Sequence, residues 1–136
     1  MADQIRRVDY FYVEVPDKPG EGARVLAGLK ESGVDLLNFT AFPGVGGKTQ
    51  IDLVPQDAEA LTRAADKAGL KLSARKQALF VQGQNRAGAA ADVLRKLAEA
   101  KVNVRAANGC AGQGGFGLIL WVAPSDLTAA AKALGA

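Results

Sequence analysis

VEVPDKPGEGARVLAGLKESGVDLLNFTAFPGVGGKTQIDLV, residues 13–54, decides the fold because the chain carries it twice. Shifted by 68 residues it lies on residues 81–122 without a gap, and 13 of the 42 positions are identical. The identities include Gly20/Gly88, Val25/Val93, Leu29/Leu97, Val34/Val102, Gly46/Gly114 and Ile51/Ile119. They fall at turns and at periodic apolar positions, where a shared fold restricts residue type. A repeat of this length fixes the architecture before any local motif is read.

Working outward, each copy predicts the same order of elements. Val8–Val15 and Ala78–Gln82 read as strands, rich in β-branched and aromatic residues. The turns Asp17-Lys18-Pro19-Gly20 and Asn85-Arg86-Ala87-Gly88 follow. Ala23, Leu26 and Leu29, and likewise Ala91, Leu94 and Leu97, then recur at helical spacing. Gly33 stands where glycine commonly closes a helix. Second strands are expected at Val34–Ala41 and Val102–Ala107, glycine-rich turns at 43–47 and 109–115, and third strands at Thr49–Val54 and Phe116–Val122. Pro55-Gln56-Asp57 and Pro124-Ser125-Asp126 open second helices. Leu70–Ala74 is expected to be a closing strand, whose counterpart would begin near position 138, beyond Ala136. The reading is α+β: two tandem ferredoxin-like βαββαβ units, 1–75 and 76–136, the second without its last strand. That omission should leave the edge of Ala78–Gln82 uncovered and open to another chain.

Composition narrows the chemistry. Hydrophobic residues make up 49% of 136, which supports a packed core, and no apolar run approaches a membrane span. The start, Met1-Ala2-Asp3-Gln4-Ile5-Arg6-Arg7, has no apolar core of a secretory signal. With a single cysteine there is no internal disulfide, so a cytoplasmic location is expected. The chain has no histidine, which removes the Ser-His-Asp and Cys-His routes and most zinc hydrolysis. Residues 1–68 carry 8 Lys+Arg against 11 Asp+Glu, and residues 69–136 carry 9 against 3. The basic half lacks the interleaved aromatics of a nucleic-acid surface, so the asymmetry reads as a solvated face and as charge that favours contact between unlike halves.

Gly47-Lys48-Thr49 ends like a phosphate-binding loop, but Phe42 stands where the motif needs glycine, and residues 50–54 alternate like a strand. It reads as a hairpin turn. Cys110 reads as a small residue near a strand end, with Arg105 weak support for a reactive thiol. Tyr10, Phe11, Tyr12 and Trp121 read as packing residues.

The turn after the first strand is the candidate site. Asp17 or Asn85 can cap the following helix. Gly20 and Gly88 permit close backbone approach, and helix-start N–H groups attract an anion. Eighteen residues beyond each capping position stand Asp35 and Asn103, which this reading places at the same end of the unit as the turn. A carboxylate would take the backbone N–H groups, and an ammonium the Asp or Asn oxygens.

These residues resemble the ACT domain. Its outline of strand, Asp/Asn-x-Pro-Gly, helix and Gly-Val-Asp/Asn-hydrophobic strand is matched by Asp17-Lys18-Pro19-Gly20 with Gly33-Val34-Asp35-Leu36. The second copy matches it with Asn85-Arg86-Ala87-Gly88 and Lys101-Val102-Asn103-Val104. The resemblance spans about 8–134, and Ala87, Lys101 and the absent last strand depart from it. It implies a non-catalytic regulatory protein that binds an amino acid at an interface between ACT-like units, with no cofactor and no metal. The family's recurring contacts carry over to Asn85 and Asn103 and, with acidic replacements, to Asp17 and Asp35. Lys18, Gly20, Arg86 and Gly88 complete the candidate set. A homodimer and a metabolic-enzyme partner are expected, without nucleic acid or membrane. The alternatives are a ligand-free assembly module regulating a metabolic enzyme and a small enzyme on the same scaffold.

Overall fold

The computed structural model describes residues 2–136. The first copy runs β1 (Gln4–Pro16), α1 (Glu21–Glu31), β2 (Leu36–Pro43), β3 (Lys48–Pro55) and α2 (Ala58–Ala68). The second runs β4 (Lys76–Gln84), α3 (Ala89–Glu99), β5 (Val104–Gly112), β6 (Gly115–Val122) and, after one 3-10 turn at Pro124–Asp126, α4 (Leu127–Leu134). The fold class is α+β, with the ferredoxin-like order read from the sequence. Thr49–Val54 lies inside β3, as expected of a hairpin and not of a phosphate-binding loop. Among the described residues no helix is long and apolar enough to cross a membrane.

The chain divides into two compact units. The first is Asp9–Lys76, and the second joins the residues up to Val8 to Gln77–Ala136. In the first unit β3 pairs antiparallel with both β1 and β2. Phe11, Val13 and Val15 of β1 alternate with outward residues and, with Ile51 and Leu53 of β3, meet Val25 and Leu29 of α1 and Leu61 and Ala64 of α2. α1 and α2 approach closely at Gly28, where an added Cβ would stand 3.1 Å from that of Ala68. In the second unit β6 pairs antiparallel with β4 and β5. Leu79, Val81, Leu118, Leu120 and Val122 face Val93 and Leu97 of α3 and Ala130, Ala131 and Leu134 of α4. Each fully buried leucine contributes about 1.5–3 kcal/mol, so two separate clusters hold the two units.

Three expectations need correction. Leu70–Ala74 is not a strand. It runs beside β1 through a single residue: the Ser73 N–H donates to the Tyr12 carbonyl (2.8 Å) and Ser73 Oγ accepts the Tyr12 N–H (2.9 Å). A side chain thus does what the next backbone carbonyl of a ladder would do, and pairing goes no further. The edge of β4 is not bare. β1 starts four residues earlier than predicted, is β4's neighbour in the strand order, and packs Ile5 against the second unit's core. The boundary read as 1–75 and 76–136 therefore differs from the observed division in the residues up to Val8.

The third correction concerns register. Val13 pairs with Ile51, while Val81 pairs with Leu118. The offset is 68 along β1 and β4 but 67 along β3 and β6. The second hairpin is one residue shorter, since Pro43 pairs with Thr49 whereas Ala111 pairs with Phe116. A one-residue slip moves a side chain to the other face of a sheet. Ile51 accordingly packs on the helices, and Ile119, its ungapped match, lies on the face opposite Leu118 and Leu120.

Candidate functional site

The start of the turn that leads into the first helix of each unit is tied to the hairpin. The Asp17 N–H donates to the Gly47 carbonyl (2.9 Å), and the Asn85 N–H donates to the Gly114 carbonyl (2.7 Å). Asp17 and Asn85 do not cap. The N-caps are Gly20 (φ 89°) and Gly88 (φ 81°), three residues on, and no side-chain hydrogen bond closes either helix. Both glycines sit in the left-handed region that side-chain-bearing residues avoid. Contrast α2, where Asp57 at the N-cap accepts from the Glu59 and Ala60 N–H groups at 3.0 and 3.3 Å. In α1 and α3 the first N–H goes to a carbonyl of the turn, that of Glu21 to Lys18 at 3.4 Å and that of Ala89 to Arg86 at 3.3 Å. This leaves the next two, at Gly22 and Ala23 and at Ala90 and Ala91, for another acceptor.

In the second unit that helix start opens into a cleft of about 360 Å³. Asn85, Arg86 and Gly88 line it from the turn, Ala89–Ala91 from the first turn of α3, Gly109–Ala111 from β5, and Phe116–Leu118 from β6. Apart from Arg86 the walls are uncharged, and most are glycine or alanine, so the backbone is accessible. Arg86 supplies the cation. Its guanidinium lies 5.9 Å from the Phe116 ring centroid and pairs with both Asp3 oxygens, Nη1 to Oδ1 at 3.1 Å and Nη2 to Oδ2 at 3.2 Å. The Asp3 hydrogen bond, with the charges of Asp3 and Asp92, raises the Arg86 pKa and keeps it protonated throughout the working pH range.

The first unit treats the same positions differently. Thr49 replaces the ring of Phe116, and its hydroxyl donates to Asp17 Oδ1 at 2.9 Å. Glu21 replaces Ala89. A carboxylate thus stands in the first turn of α1, itself bonded to Arg24 at 3.2 and 3.3 Å, a contact that lowers its pKa. Lys18, the counterpart of Arg86, is exposed. The positive end of α1 carries its own anion.

Asp35 and Asn103 do not join these turns within a unit. Pro16 pairs with Lys48, at the hairpin end, whereas Leu36 pairs with Pro55, at the other end of β3. In the second unit Gln84 pairs with Gly115 and Val104 with Val122. The helix carries the chain the length of the unit, so the turn and the head of the next strand stand at opposite ends. Both side chains are exposed, and the Asp35 carbonyl accepts from the Gln56 N–H at 2.9 Å. Lys101 fills, at φ 60°, the left-handed position that Gly33 holds at φ 69°.

Sequence reasoning missed Asp3 and Phe116, and it set Cys110 aside. Phe116 carried a usable signal, a lone aromatic among hairpin glycines. Asp3 carried none, because it meets Arg86 across 83 residues. Gly83 makes that approach possible, since a Cβ there would collide with the Asp3 carboxylate. Among the described residues no group of His, Cys, Asp or Glu is placed to hold a metal ion.

No family model matches the sequence, and no curated protein is significantly similar to it. Solved structures are. Protein BT0572 from Bacteroides thetaiotaomicron superposes with a TM-score of 0.82 at 14% identity, over 96% of this chain and 88% of that one. The ligand-free regulatory subunit of aspartate kinase from Thermus thermophilus gives 0.67 at 16% identity, over 98% and 94%. Clostridium acetobutylicum aspartate kinase, described as an allosteric enzyme, gives 0.56 at 14% identity, over 96% of this chain and 33% of its own. The fold is the ACT type. In that ACT-type frame the turn before α3 and the β5–β6 hairpin form one end of the second unit, and the cleft lies between them.

Proposed function

We propose that this chain is a non-catalytic regulatory protein that binds a small carboxylate-bearing ligand, an amino acid, in the Arg86 cleft of its second unit. The observation that carries the reading is the uncapped α3 start facing an arginine stacked near Phe116. A carboxylate would accept from the first-turn N–H groups and the guanidinium. The Asn85 amide, the one neutral side chain of the turn with an acceptor oxygen, would take the ammonium. The likeness to aspartate kinase regulatory subunits supports a regulatory role over a catalytic one, and it makes a metabolic enzyme the partner to seek. The pairing of Asn103 and Asp35 with these turns is not carried forward within a unit, given their placement. The test is a thermal-shift screen against the twenty amino acids, repeated with Arg86→Gln. A ligand should raise Tm by mass action, and the rise at the same ligand concentration should shrink in the variant. No shift with any amino acid rejects the reading.

One observation favours the assembly alternative. β2 is an edge strand without a charged residue, and Phe39, Phe42 and the hairpin residue Val45 are 49%, 40% and 89% exposed. Uncharged apolar edges invite pairing with another chain, which fits a homodimer. Sedimentation of wild type and Phe42→Lys would separate the two readings, because the ligand cleft is built from other residues.

A further inference from the structure

Arg86 cannot serve a ligand without reference to Asp3. The Asp3 carboxylate is largely enclosed, 13% exposed against 43% for the Arg86 side chain, and it spans both terminal nitrogens of the guanidinium. That is the two-point geometry with which an external carboxylate would grip an arginine. Asp3 comes from the N-terminal stretch that joins the second unit, and it fits because Gly83 has no side chain. The cation therefore carries anions of the chain's own, Asp3 in a two-point grip and Asp92 Oδ2 at 3.9 Å, between α3 and the residues that lead into β1.

We propose that Asp3 is the built-in counter-anion of the cleft: it occupies the guanidinium that a ligand's carboxylate would use, so that ligand binding and the docking of the N-terminal strand oppose one another. This deepens the ligand reading above and rests on it for its biological meaning, but not for its test. With Asp3 in place the pair is close to neutral, and only a ligand able to share or displace that grip gains the full attraction of Arg86. By linkage, a carboxylate bound at Arg86 loosens the Asp3 contact that ties down the start of β1 to the same degree. The device gives the cleft an output, since the strand whose start it loosens closes the sheet beside β4.

Cys110, the chain's single cysteine, lines the cleft and is exposed. Its alkylation can report the local field without any natural ligand. The measurement is the ratio of its rates with iodoacetate, an anion, and iodoacetamide, its neutral analogue. Taking the ratio cancels changes in thiol reactivity and access. Asp3→Asn should raise the ratio about threefold or more, the scale of one unmasked charge at short range and moderate salt. Arg86→Gln should lower it, and adding Asp3→Asn to Arg86→Gln should change it little. An unchanged ratio in Asp3→Asn overturns the proposal, and so does an equal rise with and without Arg86. If Asp3→Asn unfolds, the Arg86→Gln arm decides, because an unaltered ratio there shows that no arginine field reaches the cleft. A silent amino-acid screen beside a positive ratio would reject the ligand reading and leave standing only the masking of Arg86 by Asp3.

Discussion

The two helix starts are the same turn put to different ends. Both are uncapped, both begin at a left-handed glycine, and both are anchored to a hairpin glycine by a backbone hydrogen bond. At α1 a carboxylate, Glu21, stands in the first turn bonded to Arg24, and the hairpin contributes Thr49, bonded to Asp17. At α3 an alanine stands there, and the hairpin contributes Phe116 with Arg86 beside it. Two exchanged side chains, Glu21 for Ala89 and Thr49 for Phe116, separate a helix start that carries its own carboxylate from one that opens into an uncharged cleft beside Arg86. The scaffold supplies the N–H groups, and the side chains decide which charge stands beside them.

Truncating the buried leucines should produce the largest effect and show whether the units are equally dependent on their helices. Leu29→Ala and Leu97→Ala each remove a fully buried side chain from the matching position. Each should cost about 2–5 kcal/mol by denaturant unfolding. A cost below about 1 kcal/mol at either position would mean that its cluster does not hold the unit.

The comparison of turns predicts the next effect. Arg86→Gln should weaken amino-acid binding about tenfold or more, the worth of a hydrogen bond to a charged group. Lys18→Gln should leave binding unchanged, and calorimetry would read both. Equal losses would show that the two starts are not functionally distinct.

Lys101 and Gly33 give a smaller contrast. Lys101 holds the left-handed conformation at a cost of about 1 kcal/mol. Lys101→Gly should therefore stabilise the second unit by up to about that amount, less the added freedom of the unfolded chain, and Gly33→Lys should destabilise the first. A shift in the midpoint of urea unfolding would measure each.

The last effect depends on pH. Asp52 is 7% exposed on the face of β3 opposite Leu53, and burial raises its pKa against the opposing pull of the Gln50 amide, 2.9 Å away, and the Lys76 charge. An acid whose folded pKa is raised costs stability as pH climbs through the unfolded value to the folded one. That cost then persists at neutral pH. Asp52→Asn should remove this loss, so variant and wild type should diverge in Tm from pH 4 to pH 7, with the variant higher at neutral pH. Parallel curves would show that the carboxyl is well solvated.

Much of this was legible in the sequence. Alternation over Thr49–Val54 and helical spacing from Ala23 to Leu29 identified the elements, because each unit buries one face and exposes the other. The turn residues Asn85, Arg86 and Gly88 were found through helix-start chemistry, and they line the cleft. Register was not legible, since a glycine-rich hairpin absorbs one residue without a mark and only the pairing of Val81 with Leu118 reveals it. The capping role given to Asp17 and Asn85 failed because each helix starts three residues later, at a left-handed glycine. Asp3 was invisible because nothing near it in sequence calls for its partner.

The central claim is that the α3 start, and not the α1 start, holds the ligand. Titrating the isotope-labelled chain with the amino acid found by the screen, while following backbone amide shifts, tests it directly. The account predicts saturable shifts grouped at Gly88–Ala91, Cys110 and Phe116, with Gly20–Ala23 unmoved. Shifts centred on Gly20–Ala23 with the α3 start silent would contradict it.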